Sequence, residues 1–387
     1  MEEEVISRVR RLYMDANATT PLLPEVLEAM HPYWIEQFGN ASSIHLQGQQ
    51  ARTAVSRARE ILAEFFNCRE AEVVFNSGGT EGDNTAIFGM LRPGDHFITT
   101  SIEHSAVLRA AERMAKRGVD VTYIPPQPDG LIDPEAIRAA LKPSTRLISV
   151  MLANNETGVL QPVEAIGRIA VAAGAFFHID AVQGAGKVPF DVLRFGCHLL
   201  SISAHKMYGP KGVGALYVRR GTPIDPLMVG GSHERRQRAG TENVPGIVGL
   251  GKAAELARRS LEDGAAERIA ALRDRLEREI LRIPGTGVNG AGAPRAANTC
   301  NIRFDQVEGE ALIIALDLKG VAVSGGSACH SGSTAPSHVL MAMGLDKNAA
   351  RASLRFSLLR TARAEDVDYA LSVVPEAVER LRALAPA

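Results

Sequence analysis

Cysteine is scarce: Cys68, Cys197, Cys300 and Cys329 are the only four in 387 residues, each standing alone. No CxxC pair exists, so neither a zinc-ligand spacing nor a disulfide framework is indicated. An excess of charge of either sign is lacking too, with 43 basic against 44 acidic side chains and a formal net charge of -1. No global field exists to draw nucleic acid or a membrane surface. No apolar run is long enough to span a bilayer. The opening Met1-Glu2-Glu3-Glu4-Val5 has none of the basic-then-apolar pattern of a secretory signal. The expectation is a cytoplasmic protein without a nucleic-acid or membrane partner.

What is present is ordinary for a globular chain, 45% apolar and 22% charged. The length suits about two domains of roughly 150 residues each. Between about residues 70 and 220, short β-branched runs alternate with amphipathic stretches. Strands are predicted at 72–75, 96–100, 120–124, 146–151, 176–180 and 197–202, with helices at 104–117, 134–141 and 162–173. That alternation predicts an α/β fold with a mainly parallel sheet between helices. One long helical stretch is predicted over 244–281, followed by new strand and helix patterns at 298–304 and 308–318. These predict a second, smaller α+β domain. The run Gly285-Thr286-Gly287-Val288-Asn289-Gly290 matches GxGxxG. It follows a helix and leads into Ala291-Gly292-Ala293-Pro294, so it reads as a loop and not as a dinucleotide fingerprint.

The chemistry-bearing residues cluster just after predicted strands, where open α/β sheets place ligands. Lys206, in Ser203-Ala204-His205-Lys206, follows a buried strand; a desolvated amine is more easily neutral and can condense with a carbonyl group. Read singly, it fits a surface lysine as well. Asn76-Ser77-Gly78-Gly79-Thr80 offers small residues and a following helix N-terminus to an oxyanion, or is an ordinary capped turn. Asp180 ends a strand, where it either faces a cation such as a pyridinium nitrogen or caps a helix. His104 could stack on a planar ring and move a proton, or cap its own helix. Asn154-Asn155 suits a phenolic oxygen or a carboxylate, or an Asn-rich turn. Together these are the parts of a pyridoxal 5′-phosphate (PLP) site. Arg355 lies in a strand-like run and can grip a carboxylate with its planar fork, or serve a structural ion pair. Cys329 sits within the Gly/Ser-rich stretch 324–336, which predicts a mobile loop and an exposed thiol able to act as a nucleophile.

On these residues the chain resembles the cysteine desulfurases of the NifS/IscS type, within the class-V aminotransferase superfamily. The likeness runs from Tyr13-Met14-Asp15-Ala16-Asn17 to Leu354-Arg355-Phe356-Ser357 and on to Leu384. Its most specific motifs are Ser203-Ala204-His205-Lys206 and Gly326-Ser327-Ala328-Cys329, with Gly240-Thr241-Glu242-Asn243 also matching. The resemblance implies a fold-type I PLP enzyme with a seven-stranded sheet in its large domain. It implies an N-terminal arm over 1–20 on the small domain, a large cofactor-binding domain over 21–250 and a small domain over 251–387. It puts PLP on Lys206, with Asp180 at the ring nitrogen, His104 over the ring and Gln183 at the phenolic oxygen. Asn155 would lie near cofactor and substrate; Gly79, Thr80, Ser203 and His205 would bind the phosphate.

Arg355, with Asn155 and Asn17, would hold the carboxylate of L-cysteine, and Cys329 would carry the sulfur as a persulfide. Thr241 would reach the cofactor of a second copy, which implies a homodimer. The sulfur would pass to an acceptor such as an iron–sulfur scaffold. No resident metal is implied, although Cys329 could transiently ligate a cluster. Two other readings use the same residues: a selenocysteine lyase or aminotransferase that makes no persulfide, and a non-catalytic assembly scaffold. Two departures from the pattern are His330, where a small or hydroxyl residue is usual, and Gly82, where a serine is.

Overall fold

The computed structural model describes residues 10–325 and 335–384; Cys329 and His330 lie outside them. β1 (Leu12–Tyr13) comes first. One sheet then holds β2 (Val73–Asn76), β3 (His96–Thr100), β4 (Asp120–Ile124), β5 (Thr145–Ser149), β6 (Phe176–Asp180), β7 (Leu199–Ser203) and β8 (Gly214–Val218). Their order is β2-β8-β7-β6-β5-β3-β4. β8 runs against both neighbours, and the other six strands are parallel. This is the mainly parallel sheet that the alternation predicted, with the seven strands that the resemblance implied.

The strand sequences explain the layering. β7, Leu-Leu-Ser-Ile-Ser, is buried throughout, as are β2, β3 and β8. Strands covered on both faces have no need of a polar alternation. Leu200 and Ile202 enter one apolar cluster, shared with the helices Leu46–Phe66 and Val244–Glu262. Leu199 enters another, against the helices Gly79–Met90 and Ser105–Ala115.

The second part of the chain builds a smaller antiparallel sheet. It contains β9 (Thr286–Val288), β10 (Thr299–Phe304), β12 (Ser324–Gly325) and β13 (Ser353–Ser357), in the order β12-β13-β10-β9. β11 (Val321–Ala322) pairs in parallel with β1. Ile302, Phe304, Leu354 and Phe356 form a separate core with Leu316 and Val374.

Two expectations need correction. The predicted helix over 244–281 is two helices, Val244–Glu262 and Ala265–Ile280. Gly264 between them takes φ 73°, the left-handed region that ends a helix. The GxGxxG run is not wholly a loop either, because Thr286–Val288 is the edge strand β9. No helix follows it, so the dinucleotide reading fails on geometry as it did on sequence.

Among the described residues, no helix is long and apolar enough to cross a membrane.

Candidate active site

β2, β3, β5, β6 and β7 all end on one edge of the large sheet, and each end carries a loop into one cleft. Gly79 and Thr80 come from the end of β2, His104 from β3 and Asn155 from β5. Asp180 and Gln183 come from β6, Ser203, His205 and Lys206 from β7. Arg355, from β13 of the small sheet, and Asn17, after β1, close the opposite wall. Asn154 and the run Asn76-Ser77-Gly78, also singled out in the sequence, do not line this cleft, and neither does Thr241, which is exposed on its own loop.

Local geometry fixes each group. β7 gives way to a single turn, Ala204–Lys206, and the Lys206 Nζ donates to the carbonyls of Asn17 (2.6 Å) and Ala18 (2.7 Å). His104 does cap its helix: its Nδ1 accepts from the Ala106 N–H at 3.2 Å, while the ring still faces the cleft. Asn154 holds the predicted Asn-rich turn, its Oδ1 accepting from the Glu156 and Thr157 N–H groups. Asn155 is thereby presented to the cleft, and its carbonyl accepts from Arg355 Nη1 at 2.9 Å. Arg355 Nη2 donates to Asp15 Oδ1 at 2.6 Å.

Asp180 is buried on the cleft floor, accepting the Val182 N–H at 3.0 Å. Burial raises its pKa above the usual carboxylate value, against the pull of His104 and Lys206. Beneath it lies a network the sequence reading missed. His178 bridges the hydroxyls of Ser149 (2.8 Å) and Ser201 (3.0 Å), and burial lowers its pKa to about 3. Asp83 Oδ1 stands 3.5 Å from His178 Nε2. Burial, then the charge of Asp180, pushes the Asp83 carboxyl well above its usual range. With the imidazole held neutral, this contact is no ion pair.

Asn17 is the junction of the cleft. Its backbone carbonyl accepts from Gln183 Nε2 (2.8 Å) as well as Lys206. Its Oδ1 accepts from Lys187 Nζ (2.8 Å) and Asn298 Nδ2 (3.1 Å). Its Nδ2 donates to Thr299 Oγ1 (2.9 Å) and the Asn155 carbonyl (3.2 Å). For Lys187, Asp15 and Asp83, which went unread, spacing is the one signal the sequence offers, and it does not reveal their partners. Lys187 lies four residues after Gln183, Asp15 two before Asn17, and Asp83 one turn after Thr80.

Residues 12–370 match the class-V aminotransferase family. A "Cysteine desulfurase IscS" of Methanosarcina thermophila is 48% identical over 388 residues, covering 99% of this chain and 96% of the relative. A "Cysteine desulfurase IscS" of Anaeromyxobacter dehalogenans (strain 2CP-C) is 50% identical over 383 residues, covering 97% and 94%. Among solved structures, a "NIFS-LIKE PROTEIN" superposes with a TM-score of 0.90 at 36% identity, covering 96% of this chain and all of that one. The chain belongs to the class-V aminotransferase family and, within it, to the cysteine desulfurases, which are PLP-dependent enzymes.

The residues present fit that cofactor. No side chain caps the 12-residue helix Gly79–Met90, so its N-terminal amide groups face an open space suited to a phosphate. Gly79 has no room for a side chain, since a Cβ there would meet Val182 Cγ2 at 2.5 Å. Asp180 is a buried carboxylate needing a positive partner, which a protonated pyridine nitrogen supplies. Lys206 presents a primary amine within the same cleft.

Proposed function

We propose that this chain is a cysteine desulfurase that converts L-cysteine to L-alanine and leaves the sulfur on Cys329 as a persulfide. The observation carrying it is the meeting of Lys206, Asp180, His104 and Arg355 in one cleft. Bound PLP supplies an electron sink for the substrate carbon next to the amine. Lys206 holds the cofactor, and its freed Nζ removes the Cα proton. Asp180 keeps the proton on the ring nitrogen, and His104 covers the ring. Gln183 serves the phenolic oxygen; Gly79, Thr80, Ser203 and His205 hold the phosphate.

Arg355 and Asn155 hold the substrate carboxylate, with Asn17 framing the site. The Cys329 thiolate attacks the substrate sulfur. The carbon–sulfur bond breaks, a sulfur–sulfur bond forms, and L-alanine departs. The outer sulfur of the persulfide then passes to an acceptor protein such as an iron–sulfur scaffold, and Cys329 returns to the thiol.

We further place two copies in the working enzyme, Thr241 of each serving the other's phosphate. Its exposure outside its own cleft favours this, as do the exposed Trp34, Ile35, Phe38 and Ile44. The division into an arm over 1–20 and domains over 21–250 and 251–387 goes with the same reading. The first core nonetheless extends to Ala257 and takes up Val339 and Leu340. The free thiols of Cys68, Cys197 and Cys300 suit a reducing cytoplasm.

The test is turnover of L-cysteine by the coloured, PLP-bound protein with a thiol reductant present. Alanine and sulfide are expected in equal amounts, and Cys329→Ala is expected to lose at least a hundredfold of both. Wild-type turnover by that variant would remove the persulfide from the mechanism.

A further inference from the structure

Glu81 is the acid in the first turn of the helix Gly79–Met90, next in sequence to Thr80, and nothing in the reaction just described employs it. A carboxylate there works against an anion bound at the same helix end. The side chain is not left alone. Its Oε2 accepts from the Ser77 N–H at 2.8 Å. Arg238 reaches it from a distant loop, with Nε 2.9 Å from Oε1 and Nη2 3.3 Å from Oε2. Burial disfavours the charge, but the bonds from Arg238 and Ser77 outweigh it and hold the carboxyl below its usual pKa, so Glu81 is an anion at neutral pH.

The loop that carries Arg238 is itself fastened to β2. Arg235 Nη2 donates to the Val73 carbonyl at 2.7 Å, and Glu234 accepts the Phe75 N–H at 2.9 Å. Glu234, Arg235 and Arg236 all take left-handed φ angles of 45°, 56° and 69°, which is unfavourable for residues other than glycine. Buried bonds hold this strained turn in place, and Arg238 follows it two residues later. We propose that Arg238 is a positioning residue of the cofactor site: by pairing with Glu81 it offsets the negative charge in the helix turn that receives the phosphate, and it joins that turn to the Thr241 loop. Without the guanidinium, an uncompensated carboxylate stands one residue from Thr80.

This inference rests on the phosphate lying at Gly79 and Thr80, and its test separates the two. Cofactor-free wild type, Arg238→Gln, Glu81→Gln and the double variant are titrated with PLP and, separately, with pyridoxal, which has the aldehyde but no phosphate. Visible absorbance of the bound cofactor reports affinity. Arg238→Gln is expected to bind PLP about tenfold more weakly while its affinity for pyridoxal stays within about threefold. The double variant is expected to recover most of the PLP loss, because the opposing charge is gone; a tie that is merely structural gains nothing from losing its second half. Glu81→Gln alone breaks the tie without stranding a carboxylate, so it is expected within about threefold of wild type for PLP. That variant keeps the proposal testable if Arg238→Gln fails to fold, since a tenfold loss in it would overturn the proposal. Unchanged PLP affinity in Arg238→Gln, an equal loss for pyridoxal, or a double variant as weak as Arg238→Gln would overturn it too. A wild-type protein that binds pyridoxal as tightly as PLP would instead defeat the phosphate assignment, and one that takes up neither would defeat the functional reading, the proposal falling with either.

Discussion

Replacing Arg355 by lysine tests the substrate site most directly. The side chain is 1% exposed, and its guanidinium carries five donors. Within the described residues, one goes to Asp15 Oδ1 and one to the Asn155 carbonyl, while the buried Nε has no partner. Donors therefore remain for a carboxylate. Two charge-assisted bonds to the carboxylate of L-cysteine, at about 1.5 kcal/mol each, amount to about 3 kcal/mol. At about 1.4 kcal/mol per decade this is roughly a hundredfold in affinity.

Lysine keeps the charge and, placed on Asp15, retains at most one of those bonds. Arg355→Lys is therefore expected to raise KM for L-cysteine between about tenfold and a hundredfold. Turnover at saturation should fall much less, because the bond is made before the chemistry begins. Cysteamine, which lacks the carboxylate, supplies the internal control: as a competitive inhibitor it should bind variant and wild type alike. An Arg355→Lys enzyme with normal cofactor absorbance and a KM within threefold of wild type would refute the assignment. So would an equal loss of cysteamine binding, since that would report a collapsed site.

Two further predictions concern the frame. Glu234 receives both Arg59 guanidinium nitrogens, at 2.6 and 2.9 Å, and the Phe75 N–H at 2.9 Å, all buried. Glu234→Ala should cost about 3–5 kcal/mol by stranding a buried arginine, read as a lowered thermal midpoint; a midpoint within a degree of wild type would contradict it. The buried ionisable groups should also act on stability in opposite senses as pH changes. His178, lowered from 6.5 to about 3, binds its proton more readily when unfolded, so its contribution is full above about pH 6.5 and is lost as pH falls towards 3. Glu103, raised from 4.5 to about 8, works the other way, its contribution present below about 4.5 and lost as pH rises towards 8. Urea melts should show Glu103→Gln relieving the loss between about pH 4.5 and 8 while leaving the His178 loss towards pH 3 in place; an unchanged slope between pH 4.5 and 8 would count against it.

The sheet and the cleft were legible because both follow from local pattern. Apolar β-branched runs fix the strands, and parallel strands bring their ends to one edge, so loops far apart in sequence share a cleft. What escaped were residues whose meaning depends on a distant partner. Asp15 reads as an ordinary acid until β13 brings Arg355 beside it, 340 positions away. Lys187 reads as a solvated lysine until Asn17, 170 positions earlier, is seen to accept from it. Asp83 reads as an exposed acid in a polar helix turn, and is in fact 1% exposed. The over-long helix had another cause: amphipathic spacing continues on both sides of Gly264, and periodicity does not register a break that preserves it.

The same long-range architecture bears on Cys329. Ser324 is paired in register with Arg355 on adjacent strands. On the far side of the intervening stretch, Ser337 donates to Glu156, and His338 Nε2 bonds the carbonyl of Glu103, the neighbour of His104. The chain therefore leaves from beside the residue assigned to the substrate carboxylate and returns beside the residue assigned to the cofactor ring. Cys329 is four residues beyond Gly325, so its Cα can lie no more than about 14 Å from that of Gly325 even when fully extended. Chain length alone thus keeps the Cys329 Cα within that distance of the strand paired with Arg355. The tether also makes the order of events a matter of length: shortening 326–334 by several residues should cost sulfur transfer while leaving L-cysteine binding at Arg355 intact.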